Sequence, residues 1–122
     1  MGRMTRMAAI SIGLLQVLLC RNLYAVNNAD QTIATLANEL ESGDLETAAK
    51  RFPDSNSQYV VKHLDAMKRK KLAVGFRAAK LKRTANDELT YETFWVEEDG
   101  SKTPEEFDIA KDVHGNWLIT NW

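Results

Sequence analysis

The chain has 122 residues, 44% hydrophobic and 27% charged, with two prolines and a formal net charge of −1. That length is short for two ordinary domains, and the composition is that of a globular protein with no low-complexity tract or repeat. A lone cysteine, Cys20, excludes an internal disulfide, and two distant histidines, His63 and His114, make no recognised metal-ligand spacing.

The first 25 residues read as an export signal. Arg3 and Arg6 supply positive charge, Met7 to Cys20 is a 14-residue apolar run, and residues 21–25 form a polar exit ending in Ala25. The run is shorter than a stable spanning helix needs. Cleavage after Ala25 is expected, because Ala suits the position before the cut, although Leu23 is large for the position two before it. An uncleaved anchor is the alternative. Lipidation at Cys20 is disfavoured, since Leu19 stands where a small residue is wanted. Without Arg3, Arg6 and Arg21, 13 Lys and Arg remain against 17 Asp and Glu, a net charge of −4 over residues 26–122.

From Asp30, a good N-cap, Ile33, Leu36, Ala37 and Leu40 make one helical stripe that Gly43 ends. Asp44 caps a short second helix with Leu45, Ala48, Ala49 and Phe52 on one face, and Pro53 stops it. Ser55 or Ser57 caps a third, with Val60, Leu64 and Met67 inward, which runs out in Lys68-Arg69-Lys70-Lys71. Period two follows. Leu72, Val74, Phe76 and Ala78 predict a first strand with a phase slip near Ala79 that a β-bulge would explain. After a turn at Asn86-Asp87, Leu89 to Glu97 predicts a second strand with Leu89, Tyr91, Thr93 and Trp95 on one face. Asp99-Gly100 is a hairpin signal. Phe107, Ile109 and Val113 alternate with acids in a third strand, and His114-Gly115 turns into a fourth at Trp117–Thr120. The expected fold is α+β: N-terminal helices packed on a curved four-stranded antiparallel sheet, a cone, in a single domain of residues 26–122.

Two motifs carry a resemblance. Glu41-Ser42-Gly43-Asp44-Leu45-Glu46-Thr47-Ala48-Ala49, a helix ending at Gly-Asp before a short helix of small residues, resembles the first helical segment of NTF2-like (cystatin-like) domains. Asp112-Val113-His114-Gly115-Asn116-Trp117-Leu118-Ile119 is similar to their closing hairpin. The likeness covers the mature chain in layout and implies the NTF2-like cone. It does not imply one activity, because that superfamily holds isomerases, dehydratases, transport factors and secretion scaffolds, as well as small exported proteins of unknown function. The chain is shorter than the enzymatic members, which argues against a deep, closed pocket.

The candidate pocket residues are Tyr59, His63, Tyr91, Trp95 and Trp117. An acid or imidazole inside an apolar cone is how a base is held away from water. Asp108 falls on the polar parity of its strand and is expected outside. Tyr59 and His63, four apart, share one helix face. Packing at the edge of the core is the simpler reading for the aromatic residues, so no catalytic residue, metal or cofactor is expected.

Charge is segregated. Residues 62–83 hold nine Lys and Arg with one acid, and residues 87–112 hold ten acids with two Lys. Cross-strand pairing accounts for this simply. The sharper reading makes Lys68, Arg69, Lys70 and Lys71 a basic patch for anionic lipid heads or an acidic partner. Nucleic acid is disfavoured by the net negative charge and the export signal. The expectation is therefore a periplasmic or secreted, non-catalytic module, without a membrane span after cleavage. It would bind an envelope protein or a small apolar ligand, with a homodimer expected. A small isomerase or dehydratase, and a scaffold domain of an envelope assembly, are the alternatives.

Overall fold

The computed structural model describes residues 28–122. The expected export signal, its cleavage after Ala25 and Cys20 lie outside the described residues. The chain divides into two units, Met1–Asp30 and Gln31–Trp122. Of the first, only residues 28–30 are described, and they are helical.

Helix α1 takes in residues 28–42, so Asp30 lies within helix rather than at its cap. The expected stripe is its buried face: Ile33 is 4% exposed and Leu36, Ala37 and Leu40 at most 1%. The helix ends at Gly43, whose φ is +83°. There the Gly43 and Asp44 N–H groups both donate to the Glu39 carbonyl at 3.0 Å, which satisfies the last turn as a left-handed glycine cap does. Asp44 caps α2 (Leu45–Ala49) through the Thr47 N–H, and Ala48 and Ala49 face inward.

The third helix of the sequence reading is two helices, α3 (Ser55–Lys62) and α4 (Ala66–Ala78). Each starts on an aspartate: Asp54 accepts from the Ser57 N–H at 2.7 Å and Asp65 from the Lys68 N–H at 2.8 Å. Ser55 and Ser57 are therefore not the caps. A break at residues 63–65 resets the helical phase, so Val61 is buried while Val60 and Met67 face solvent. The predicted first strand over Leu72–Ala78 is helix instead. Leu72 and Phe76 are spaced at i, i+4 as well as in alternation, and Val74, which alternation would bury, is exposed.

Four strands follow: β1 (Lys80–Ala85), β2 (Glu88–Val96), β3 (Lys102–Lys111) and β4 (Trp117–Asn121). They pair in sequence order as an antiparallel meander, left open at β1 and β4. A register shift falls within β1 between Leu81 and Arg83, later than the bulge expected near Ala79. Asp99-Gly100 and His114-Gly115 turn as expected, while Val113 stands 95% exposed in the second turn rather than inward on β3.

The helices and one sheet face enclose the core, in which Leu89, Tyr91, Phe107, Ile109 and Ile119 from the sheet are buried with Phe52, Val61, Ala73 and Phe76. The Phe107 ring stacks on Tyr91 at 5.4 Å and meets the Phe76 edge at 5.1 Å. At the other end of the sheet, the Ile119 N–H donates to the Arg51 carbonyl at 2.8 Å, and Trp122 packs on Phe52 at 5.0 Å. The architecture is thus α+β, with the helices on one face of a four-stranded antiparallel sheet.

Candidate functional site

The five candidate pocket residues fall at different places on the fold. Tyr59 and His63 meet at the end of α3, with rings stacked 4.1 Å apart and the His63 Nδ1 donating to the Tyr59 carbonyl at 2.8 Å. They meet outside, since Tyr59 is 62% exposed. Tyr91 is core. Trp95 is half-buried and meets Phe76 edge-on at 5.7 Å. Trp117 is half-buried beneath the Lys111 ammonium, and its Nε1 is buried without a hydrogen-bond partner among the described residues. Among those residues no cluster of His, Cys, Asp or Glu could hold a metal ion, and no helix is long and apolar enough to cross a membrane.

What the fold does bring together lies on the other face of the sheet. Because strand residues alternate between faces, the partners of the core positions point outward. Register then orders them into rows. Lys80, Glu92 and Glu106 stand side by side on β1, β2 and β3, and Arg83, Thr90 and Asp108 form the next row. Phe94 and Pro104 pair in a third. Each charged row runs from a cation on β1 to an acid on β3. Lys80, Arg83, Glu92, Pro104 and Glu106 are exposed, so this face is open to solvent.

An open groove of about 620 Å³ lies here, with Phe94 and Pro104 among its lining and Lys80, Lys82, Glu92, Glu105 and Glu106 as its charged groups. The Lys82 ammonium bonds Glu106, and Arg83 stands 3.6 Å from the same carboxylate. The Lys82 hydrogen bond lowers the Glu106 pKa, and the Lys82 and Arg83 charges add to this against the opposing effects of desolvation and of the Asp108 charge. Thr90 donates to Asp108 at 2.7 Å, which fixes that carboxylate at the face. Asp108 thus sits on the outward side, as its parity indicates. Sequence reasoning had the charges but not the rows, because row membership depends on strand register.

The basic tract is on α4, not on a strand. Lys68 and Lys70 are exposed and Lys71 is half-buried, and none of the three is ion-paired among the described residues. Arg69 turns inward instead, against Gly43 at the end of α1. On the same helix Arg77 bonds Glu41 and donates to Asn38 at 2.7 Å. Its hydrogen bond to Glu41 lowers the Glu41 pKa and raises its own.

No family model matches the chain, and no curated protein matches it. Two solved structures are similar to it. One, from Campylobacter jejuni, is named as an NTF2-like transpeptidase: 12% identity, 78% of this chain and 99% of that one covered, TM-score 0.43. The other, from Xanthomonas campestris, is named as a calcium/calmodulin-dependent protein kinase II association domain: 13% identity, 72% and 81% covered, TM-score 0.35.

Proposed function

We propose that this chain is an exported binding module, not an enzyme, and that it takes a protein partner on the outer face of its sheet. The observation that supports this is the pair of charged rows across an open face. The core side of the sheet is lined by Leu89, Tyr91, Phe107, Ile109 and Ile119, whereas Lys80, Arg83, Glu92 and Glu106 of the rows face solvent and Asp108 is half-buried. A general base needs a pocket that excludes water and shifts its pKa. The shift found in the groove, at Glu106, stabilises the charged form and comes from an exposed lysine. Export itself rests on Arg3, Arg6 and the apolar run that follows them.

The rows favour a second copy of this chain as the partner, in line with the expected homodimer. A two-fold axis laid along β2 places β1 of one copy over β3 of the other and leaves each row at its own level. Arg83 then faces Asp108, Lys80 faces Glu106, and Phe94 and Glu92 each meet their counterparts at the axis, the Glu92 pair between the two Lys80 groups. Every opposite-charge contact of this kind occurs twice.

A second reading has a specific observation behind it: Phe94 and Pro104 in the groove offer an apolar floor to a small ligand. Sedimentation of the purified protein over a range of concentrations separates the two. A reversible dimer supports the face-to-face reading. A monomer at every concentration, with a raised melting temperature in the presence of apolar small molecules, supports the ligand.

A further inference from the structure

The exposed side of α4 has an order of its own. A helix turns by about 100° per residue, so Met67 and Val74, seven residues apart, stand nearly in line. Lys70 lies to one side of that line and Lys71 to the other. The two apolar side chains are 67% and 45% exposed. Lys68, Lys70 and Lys71 are not ion-paired among the described residues, whereas Arg77 on the same helix is held by Glu41 and Asn38. The opposite side of the helix is fixed to the protein: Gly75 meets Trp95, and Ala73 and Phe76 are core. The helix therefore presents a crest of large apolar groups flanked by ammonium groups that no ion pair holds among the described residues, and it cannot roll to hide that crest without losing the core.

We propose that this side of α4 docks on an anionic bilayer surface, with Met67 and Val74 at the acyl boundary, Lys70 and Lys71 among the lipid phosphates, and Lys68, about 100° round the helix from Met67, reaching them from the flank. An interfacial helix needs both parts, apolar area to enter the boundary and cations to meet the headgroups. Met67 and Val74 give this face apolar area in line with its lysines. Lysine is suited to the role, since its long stem lies along the apolar boundary while the charge stays in the headgroup layer. The site is separate from the proposed partner face, because Met67, Lys68, Lys70, Lys71 and Val74 line no part of the groove there, which α4 reaches only at Ala78. Docking by α4 leaves those rows free.

The test is co-sedimentation of the full chain with vesicles, comparing phosphatidylcholine alone with a mixture containing phosphatidylglycerol. The apolar N-terminal run can bind both kinds, so the quantity read is the gain on anionic vesicles. The docking surface predicts that K68Q/K70Q/K71Q loses at least about tenfold of that gain, since each surface lysine contributes a several-fold factor. R3Q/R6Q should retain most of it. M67S/V74S should lower binding to the anionic vesicles with all the lysines in place. Equal melting temperatures of the variants would show that the fold is unchanged. An anionic gain that survives K68Q/K70Q/K71Q, or that vanishes in R3Q/R6Q, overturns the proposal. So does a gain untouched by M67S/V74S, which would mark a charge effect without docking of the helix.

Discussion

Gly75 on α4 lies directly against the Trp95 ring on β2: a Cβ built on Gly75 would come within 2.5 Å of the Trp95 Cε3 and 2.9 Å of the Phe94 carbonyl oxygen. The Thr93 hydroxyl also donates to the Gly75 carbonyl. This contact sets how closely the helix approaches the sheet, and a side chain at position 75 would separate them.

Gly75→Ala is therefore expected to destabilise the protein, although alanine is the better helix former by about 1 kcal/mol. Overpacking a filled site costs about 1–3 kcal/mol, and here one obstacle is backbone, which cannot rotate away. Urea unfolding should show a lower midpoint. In W95A the same substitution should cost less, because the ring it strikes is gone.

Gly43 meets a different constraint. Its φ of +83° belongs to the left-handed region, and the Arg69 guanidinium occupies the space beside it. Gly43→Val should cost about 1–2 kcal/mol, while Gly43→Asn should cost less, since asparagine tolerates that region. Thermal unfolding of the two variants measures the order.

Asp65 starts α4 by accepting from the Lys68 N–H. Asp65→Ala should cost about 1 kcal/mol, and Asp65→Ser should recover much of it. Were residues 55–71 one continuous helix, Asp65 would lie in its interior and neither substitution would act by way of a helix end. Chemical denaturation of the three proteins reads the difference.

Acid should destabilise the fold. The pKa values of Glu41, Asp54, Glu106 and Asp112 are held down by Arg77, the Ser57 N–H, Lys82 and the Asn116 N–H respectively. A carboxylate with a lowered folded pKa adds stability above its unfolded pKa, and that stability is lost as pH falls through the folded value. The melting temperature should hold between about pH 5 and 7 and drop below about pH 4.5, where unfolded carboxylates begin to protonate. Asp112→Asn should lower the melting temperature at pH 7 and make the acid drop shallower.

The locally encoded parts of this fold were the legible ones. The Ile33–Leu40 stripe, the Gly43-Asp44 stop, the Asp99-Gly100 hairpin and the Leu89–Tyr91 and Phe107–Ile109 alternations all read within a few residues of themselves. Helix α4 did not. Leu72, Val74, Phe76 and Ala78 satisfy period two, Gly75 weakens the helical reading, and what resolves the ambiguity is a distant residue, Trp95, against which only a glycine fits. The caps were misplaced for a related reason, since Asp54, Ser55 and Ser57 are all good cap formers and only backbone geometry chooses among them. For the candidate site, the basic and acidic stretches were plain. That Arg83, Thr90 and Asp108 share a row was not, because three strands and a register shift within β1 decide it.

Sedimentation equilibrium of the wild type, Arg83→Asp, Asp108→Arg and the double variant tests the central claim most directly. A two-fold contact through the outer face predicts a wild-type dimer. Each single reversal should weaken it by at least about tenfold through like-charge juxtaposition, and the double reversal should restore it. A wild type that stays monomeric, or single variants that dimerise as well as the wild type, would contradict the account.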